Sequence, residues 1–331
     1  MGPTYAAPDG GEVLLTGASG FVGAHVLSAL LTRGFRVRAL VRDARALPPG
    51  ATAVVGDLRA PASLLPALRG CRYVIHTAAV YSFSPRDEAA ISEVNVRGTE
   101  GLLEAARIAG VERCVVTSSS SALAPATRSR PVTERSWAER PPGRLTYHAS
   151  KLVAERAALR ALTPVITVVP TAPVGPGDRR PTPTGRIVID LLRGRMPATL
   201  RGGMNLVAVE DVAAAHVLAL AHGRSQERYI AGGVNLSLAE CWRLIASAAG
   251  RRARAFPLPY AIAATAARLD DLRLRAIGGS PIVPLEGVHM GRLEMYSSSA
   301  KAIGELGYRP SSVGAAIERS VRWYRANGYA G

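Results

Sequence analysis

In "EVLLTGASGFVGAHVLSALLTRG" (residues 12–34) a short apolar run meets three spaced glycines, and an amphipathic stretch follows and closes on Gly34. The run at 12–17 reads as a strand. Residues 21–34 read as a helix with Gly34 at its C-terminal cap. Gly17, Gly20 and Gly23 sit at the turn between them. Each has a separate task there. The first permits a tight turn, the second lets backbone N–H groups approach a pyrophosphate, and the third lets helix and strand pack closely. The helix N-terminus adds partial positive charge for the anion. Phe21 and Val22 stand in the same loop and count with the glycines as cofactor-binding residues. A glycine triplet alone is a weak signal. Its place between the first strand and first helix of an alternating chain makes it a dinucleotide site.

Working outward, the alternation continues. Strands are expected at 35–42, 51–57, 72–79, 113–120 and 164–170. Helices are expected near 61–69, within 86–109, and at 147–162. Such alternation implies parallel pairing through right-handed crossovers, hence an α/β fold with a doubly wound parallel sheet. From about 171 the rhythm breaks, and "PTAPVGPGDRRPTPTG" (170–185) reads as too rich in Pro and Gly for a regular element. A helix (186–195), a strand-like run (205–212), a helix (212–222) and a strand (228–233) follow. The remainder is mainly helical, with a Pro/Gly-rich interruption at 279–286. The division expected is a disordered lead at 1–10 and a nucleotide-binding domain at 11–172 to which 205–231 returns. A smaller substrate-binding region at 173–204 and 232–331 packs on the sheet's C-terminal edge.

The chain carries 41 Lys+Arg against 25 Asp+Glu, a net charge of +16. Such a balance raises a nucleic-acid or anionic-membrane partner. The arginines form no single block and no nucleic-acid motif is present, so scattered, solvated charge is the favoured account and no specific nucleic-acid partner is expected. No apolar run reaches the ~18–20 residues of a membrane span. The first residues lack a secretory pattern. Cys71, Cys114 and Cys241 lack metal-ligand spacing and read as buried thiols of a reduced, cytoplasmic protein. No metal is expected.

The end of the second strand reports on the adenosine ribose, where an acid suits NAD and an arginine suits the phosphate of NADP. Here it reads "ALVRDAR", with Arg42 at the tip and Arg45 nearby. A guanidinium matches a phosphate in charge and fork geometry, so NADP(H) is favoured over NAD(H). Asp43 is the counter-signal. Asp57, at the end of the third strand, suits the adenine amino group or the cap of the following turn.

Only two of the 41 cations are lysines, Lys151 and Lys301. Lys151 lies four residues after Tyr147 on a predicted helix, hence on the same face. A phenol with a pKa near 10 is a poor acid–base group at neutral pH, and a neighbouring ammonium lowers it. Lysine suits that task, being compact with three donors on a flexible stem. Just upstream the strand "VVTSSSSA" (115–122) brings Ser118, Ser119, Ser120 and Ser121 to the edge where ligands bind.

Taken together, "TGASGFVG", "GDL" (56–58), "HTAA" (76–79), "NVRGTEGLLEAA" (95–106), "VVTSSS" (115–120), "YHASK" (147–151), "VVPTAPVGPGD" (168–178), "LVAVEDVAAAHVLAL" (206–220) and "ELGYRP" (305–310) resemble the extended short-chain dehydrogenase/reductase family, the NAD(P)-dependent epimerase/dehydratase group. The resemblance spans about residues 11 to 329. Its branches nearest in pattern are the hopanoid-associated sugar epimerases and the dihydroflavonol reductases. It implies a Rossmann fold and a catalytic Ser119, Tyr147 and Lys151, with Ser120 as second choice. It also implies that Leu58, Ala78, Ala79 and Pro170 line the cofactor groove. Homodimers through 86–109 and 147–162 are implied by resemblance alone. Two departures stand out. Many nucleotide-sugar epimerases carry an Arg-Asp-aromatic run where this chain has Met204, Asn205 and Leu206, and an acid where it has Arg42. Both favour net reduction of a ketone, aldehyde or imine. The alternative is an epimerase or dehydratase on a nucleotide- or lipid-linked sugar with a recycling cofactor. Arg179, Arg180, Arg186, Arg193 and Arg195 could then hold a diphosphate.

Overall fold

The structure is a computed structural model that describes residues 11–46, 49–82, 85–139, 147–194, 198–251, 256–278, 283 and 285–329. The lead at 1–10, Arg195 and part of the 279–286 interruption lie outside the described residues. Strands β1 (Glu12–Thr16), β2 (Arg36–Val41), β3 (Thr52–Val55), β4 (Tyr73–His76), β5 (Arg113–Thr117), β6 (Val165–Pro170) and β10 (Glu227–Ala231) form one parallel sheet. Its order is β10-β6-β5-β4-β1-β2-β3. The chain reverses direction across the sheet between β1 and β4, which opens a crevice at their carboxyl ends.

The central strands are buried on both faces, which is why they read as continuous apolar runs rather than alternating ones. Val13, Leu14 and Leu15 are wholly buried. On one face α1 (Phe21–Thr32), α7 (Val209–His222) and α11 (Ala300–Leu306) cover the sheet through Val26, Leu30, Ala219 and Leu306. On the other, α2 (Leu64–Leu68), α4 (Gly98–Ile108) and α5 (Tyr147–Arg160) cover it through Leu64, Leu68, Leu102, Ala106 and Ala158. Between α3 (Glu88–Ile91) and α4 the helix widens to a π-helical turn, Ser92–Arg97, whose Asn95 is buried.

A second sheet pairs β9 (Gly203–Ala208) with β11 (Val234–Ser237), β13 (Glu294–Met295) and β7 (Ala172–Val174). β8 (Ala198–Thr199) pairs with β12 (Phe256–Pro257). Helices α6 (Pro183–Leu192), α8 (Leu238–Ala248) and α12 (Val313–Ala326) close a separate core over it, around Trp242, Ile317 and Tyr324. Helices α9 (Tyr260–Ile277) and α10 (Leu285–Gly291) pack on each other beside it.

The expectation of no regular element in 170–185 is corrected here. β7 includes Pro173, and α6 starts at Pro183. Among the described residues β7 pairs with β9 alone, so the missing N–H of Pro173 leaves no central ladder unsatisfied. Pro183 occupies the first helical position, where its N–H would have no partner anyway, and Thr182 caps the helix through Gly185 N–H. The strand-like reading of 205–212 is also shortened, because α7 begins at Val209. Of the segment 205–231, α7 and β10 belong with the large sheet while β9 lies in the small one. Among the described residues no helix is long and apolar enough to cross a membrane.

Candidate active site

The glycine loop follows from contact geometry. Gly17 has φ +75, which an L side chain adopts only with strain. A Cβ on Gly23 would lie 2.0 Å from the Gly17 carbonyl oxygen, so α1 could not approach the loop with any side chain there. A Cβ on Gly20 would meet only that same oxygen, at 3.2 Å. The protein itself therefore leaves space at Gly20, on the side where a ligand backbone would lie. No side chain caps α1, and its first turn carries no acid. The amides of Phe21 and Val22 thus belong to a helix N-terminus open to an anion. A dinucleotide pyrophosphate fits this cradle.

At the tip of β2, Arg42 is exposed and forms no ion pair among the described residues. Asp43 is occupied: Arg45 holds it through its backbone N–H at 2.9 Å and its guanidinium at 2.7 Å. Asp57 is likewise held, by the backbone N–H of Arg59 at 2.9 Å and its guanidinium at 2.6 Å. The Arg59 hydrogen bond keeps the Asp57 carboxyl below the usual carboxylate range. Asp57 thus caps its turn, while Leu58 is buried beneath the loop against Gly98.

After β4, Ala78 is half-buried and Ala79 exposed, beside the glycine loop. Their backbone is fixed by a chain of hydrogen bonds that runs in one direction only. Ala78 N–H donates to Thr16 Oγ1 (3.2 Å), and Thr16 Oγ1 donates to His76 Nδ1 (2.7 Å). His76 Nε2 then donates to Thr99 Oγ1 (3.0 Å), and Thr99 donates to the Asn95 carbonyl (2.8 Å). The carbonyl at the end can only accept, so Thr99 and His76 Nε2 are donors in turn, and burial keeps the ring neutral, which leaves Nδ1 to accept from Thr16. Burial pushes the His76 pKa down to about 3, with the Lys151 charge adding to it. The Asn95 side chain clasps Val80 on both backbone groups and donates to Ser150 Oγ at 3.0 Å. Ser150 in turn donates to the Tyr147 carbonyl. The π-helical turn places Asn95 at this junction.

Tyr147 opens α5, its ring packed on Tyr81 (centroids 4.2 Å apart) and edge-on to His148 (5.6 Å). Lys151, one turn later, is buried, and its ammonium donates to the Thr117 carbonyl at the end of β5. Burial lowers its pKa to about 8, against the opposing pull of the Glu155 carboxylate. Thr117 Oγ1 also faces His216 Nε2 at 2.7 Å, while His216 Nδ1 donates to the Val212 carbonyl at 2.8 Å. The Val212 carbonyl makes Nδ1 a donor, and burial keeps the His216 ring neutral by pushing its pKa down to about 4.

The four serines separate. Ser118 is buried and donates to Glu155 Oε2 at 2.7 Å, which removes it as a substrate-facing group. Ser119 is half-buried, caps the 3-10 turn at Ser120–Ala122, and accepts the Ser121 N–H at 3.2 Å. Its hydroxyl proton is still available. Ser120 is half-buried, and Ser121 Oγ is buried without a partner. Pro170 is buried at the end of β6.

Beneath these groups Glu155 accepts four hydrogen bonds: from Ser118, from Thr167 (2.7 Å) and twice from Arg228 (2.9 Å each). The Arg228 guanidinium lies 3.5 Å from the Trp137 ring centroid and donates to the Glu134 carbonyl. The Glu155 and Arg228 side chains are 0% and 5% exposed, so one ion pair locks α5, β5, β6 and β10 together under the site.

Pattern reading did not assign roles to Thr16, His76, Asn95, Thr99, Glu155 or Arg228. Glu155 had a legible signal, since it lies four residues after Lys151 and eight after Tyr147 on one helix face. The partners of the His76 and Asn95 side chains lie 15 to 60 residues away in sequence, beyond any local period. In the small region Asn205 is buried, bonded to Thr171, Gly233 and Asn235. Arg179, Arg180, Arg186 and Arg193 are all exposed.

The family described as NAD dependent epimerase/dehydratase matches residues 13–232. The chain is 38% identical over 329 residues to "Putative dihydroflavonol 4-reductase" of Synechocystis sp., covering 95% of each. It is 34% identical over 327 residues to "Sterol demethylase protein B" of Methylococcus capsulatus, covering 95% of this chain and 98% of that one. The crystal structure of gox2253 superposes with a TM-score of 0.83 at 37% identity, over 96% of this chain and 99% of that one.

Proposed function

The chain belongs to the NAD dependent epimerase/dehydratase family, within the extended short-chain dehydrogenase/reductases, and we propose that it is an NADP-dependent reductase of a carbonyl substrate. The observation that carries the reading is the buried Lys151. It is held by the Thr117 carbonyl one helical turn from Tyr147, at the strand ends where the glycine loop opens. The ammonium favours the phenolate of Tyr147 and so tunes it as the proton donor. Tyr147 Oη gives its proton to the oxyanion that develops on the substrate, and the Ser119 hydroxyl donates a hydrogen bond to the same oxygen.

Gly17, Gly20, Gly23 and the amides of Phe21 and Val22 would hold the cofactor's pyrophosphate, with Leu58, Ala78, Ala79 and Pro170 along its groove. Bound there, the nicotinamide supplies the hydride. Arg42 supports NADP, because it is free to take a ribose phosphate while Asp43, its rival for the ribose, is tied to Arg45. Asp57 is assigned to the adenine side of the same groove. Residues 173–204 and 232–331 would shape the substrate end. Net reduction is favoured over sugar epimerisation because that region presents no buried cation at 204–206, where Asn205 is consumed by internal hydrogen bonds, and Arg179, Arg180, Arg186 and Arg193 face solvent. A relative whose name is a reductase, aligned over nearly the full chain, points the same way.

The test is to identify by mass spectrometry any nucleotide released on denaturation, then to follow NADPH consumption against carbonyl substrates. Exchangeable NADP(H) and net consumption are expected. NAD held at one per chain, with no net consumption, would overturn the reading in favour of internal redox on a sugar. Tyr147→Phe should lower turnover by about 10²-fold or more while leaving nucleotide binding unchanged.

A further inference from the structure

Helix α9 is built inside out. Its core-facing side is alanine: Ala263, Ala264 and Ala267 pack on Val288, Leu258 and Leu285. Its large apolar side chains point to solvent, with Ile262 57% exposed, Leu269 63%, Leu272 64% and Ile277 76%. A helix that needed only to pack would turn its bulky apolar residues inward. At 100° per residue these four side chains fall within an arc of about 140°. Phe256, 68% exposed, leads into the helix. Arg273, paired with Asp270, stands within the same arc. Large apolar side chains exposed together on one helix face mark an interaction site.

Charge says what meets it. Residues 251–278 carry six arginines and two aspartates, in a chain of net charge +16. Exposed Arg268 and Arg275 stand two turns apart along one border of the apolar arc. Both aspartates are engaged: Asp270 is buried under Arg273 and the Val283 N–H, and Asp271 pairs with Arg275. Arg292 lies over the Tyr260 ring at the start of the helix, 4.8 Å from its centroid. A second copy of this face would bring like charges together across a two-fold axis. An anionic surface would not.

We propose that the outward face of α9 is a peripheral docking surface for an anionic lipid bilayer. Ile262, Leu269, Leu272 and Ile277 enter the acyl boundary, and Arg268 and Arg275 stay at headgroup level on long stems. The docking does not depend on which substrate the chain reduces, so it stands or falls apart from the reductase reading.

The experiment is co-sedimentation of the full chain with phosphatidylglycerol-containing vesicles and with phosphatidylcholine vesicles. Binding to the anionic vesicles, weakened by salt, is expected. Leu269→Glu and Leu272→Glu should each lower it about tenfold or more. A second measurement does not rely on those variants folding. Cys71, Cys114 and Cys241 are buried, so an environment-sensitive dye on Leu269→Cys reports this face. It should shift to the blue with anionic vesicles, while the same dye on Leu162→Cys, 86% exposed on another face, should not. Absence of binding at low salt overturns the proposal. So does binding that moves neither with the glutamates nor at the Leu269 dye. A concentration-dependent dimer that shifts the Leu269 dye without vesicles assigns the face to a second copy instead.

Discussion

Lowering the pH from 7 to 5 should remove about 4 kcal/mol of stability through two histidines. His76 and His216 are both buried, and burial holds both rings neutral. Their pKa values fall from 6.5 to about 3 and about 4. Between those values and 6.5 the unfolded chain binds protons that the folded chain refuses, so stability drops as pH falls through this window. At pH 5 each histidine therefore costs about 2 kcal/mol relative to pH 7, against a total of about 5–15 kcal/mol for a typical domain. Asp178 and Asp211 work the other way, since burial raises both, and they return part of the loss as the pH falls towards their own values. The assay is urea unfolding followed by circular dichroism at pH 7 and pH 5. His216→Gln should shrink the difference between the two pH values by about 2 kcal/mol. An unchanged difference in that variant would refute the assignment of a neutral, buried His216.

Arg42→Ala should weaken NADP binding about tenfold or more and leave NAD binding unchanged, as read by calorimetry; equal losses for both cofactors would remove Arg42 from the ribose phosphate. Gly23→Ala should destabilise by about 1–3 kcal/mol or more and lower nucleotide affinity, because its Cβ would lie 2.0 Å from the Gly17 oxygen. A thermal melt unchanged from the parent would contradict that packing. Arg228→Met leaves Glu155 buried without its cation and should cost about 3–5 kcal/mol by denaturant titration. A loss below about 1 kcal/mol would show that the pair is not the lock described.

The large sheet was legible because its cause is local. Doubly buried strands must be apolar along their whole length, and the crossover helices must carry a 3.6-residue stripe. The glycine loop was legible for the same reason, each glycine answering a nearby steric demand. Residues 170–185 misled because composition was read without position: Pro173 lies on an edge and Pro183 at a helix start, two places that tolerate proline. The choice among four serines was out of reach from pattern alone. What separates Ser118 from Ser119 is a carboxylate 37 residues away. The one-way chain through Thr16, His76, Thr99 and Asn95 was hidden likewise, since donor and acceptor order is a property of the assembled site.

The chain's near-exclusive use of arginine has a practical side. Amine-selective reagents ignore guanidinium groups, so of 41 cations only two present an ε-amine. Lys301 is occupied by the Glu227 carboxylate and the Arg228 carbonyl. Lys151, with a pKa pushed down to about 8, has a neutral, nucleophilic form that is plentiful in mildly alkaline buffer. Acylation of this protein is thus limited to the α-amine and two lysines, and a fall in Lys151 labelling when nucleotide is added is the result expected of the proposed cofactor site, readable without any substrate in hand.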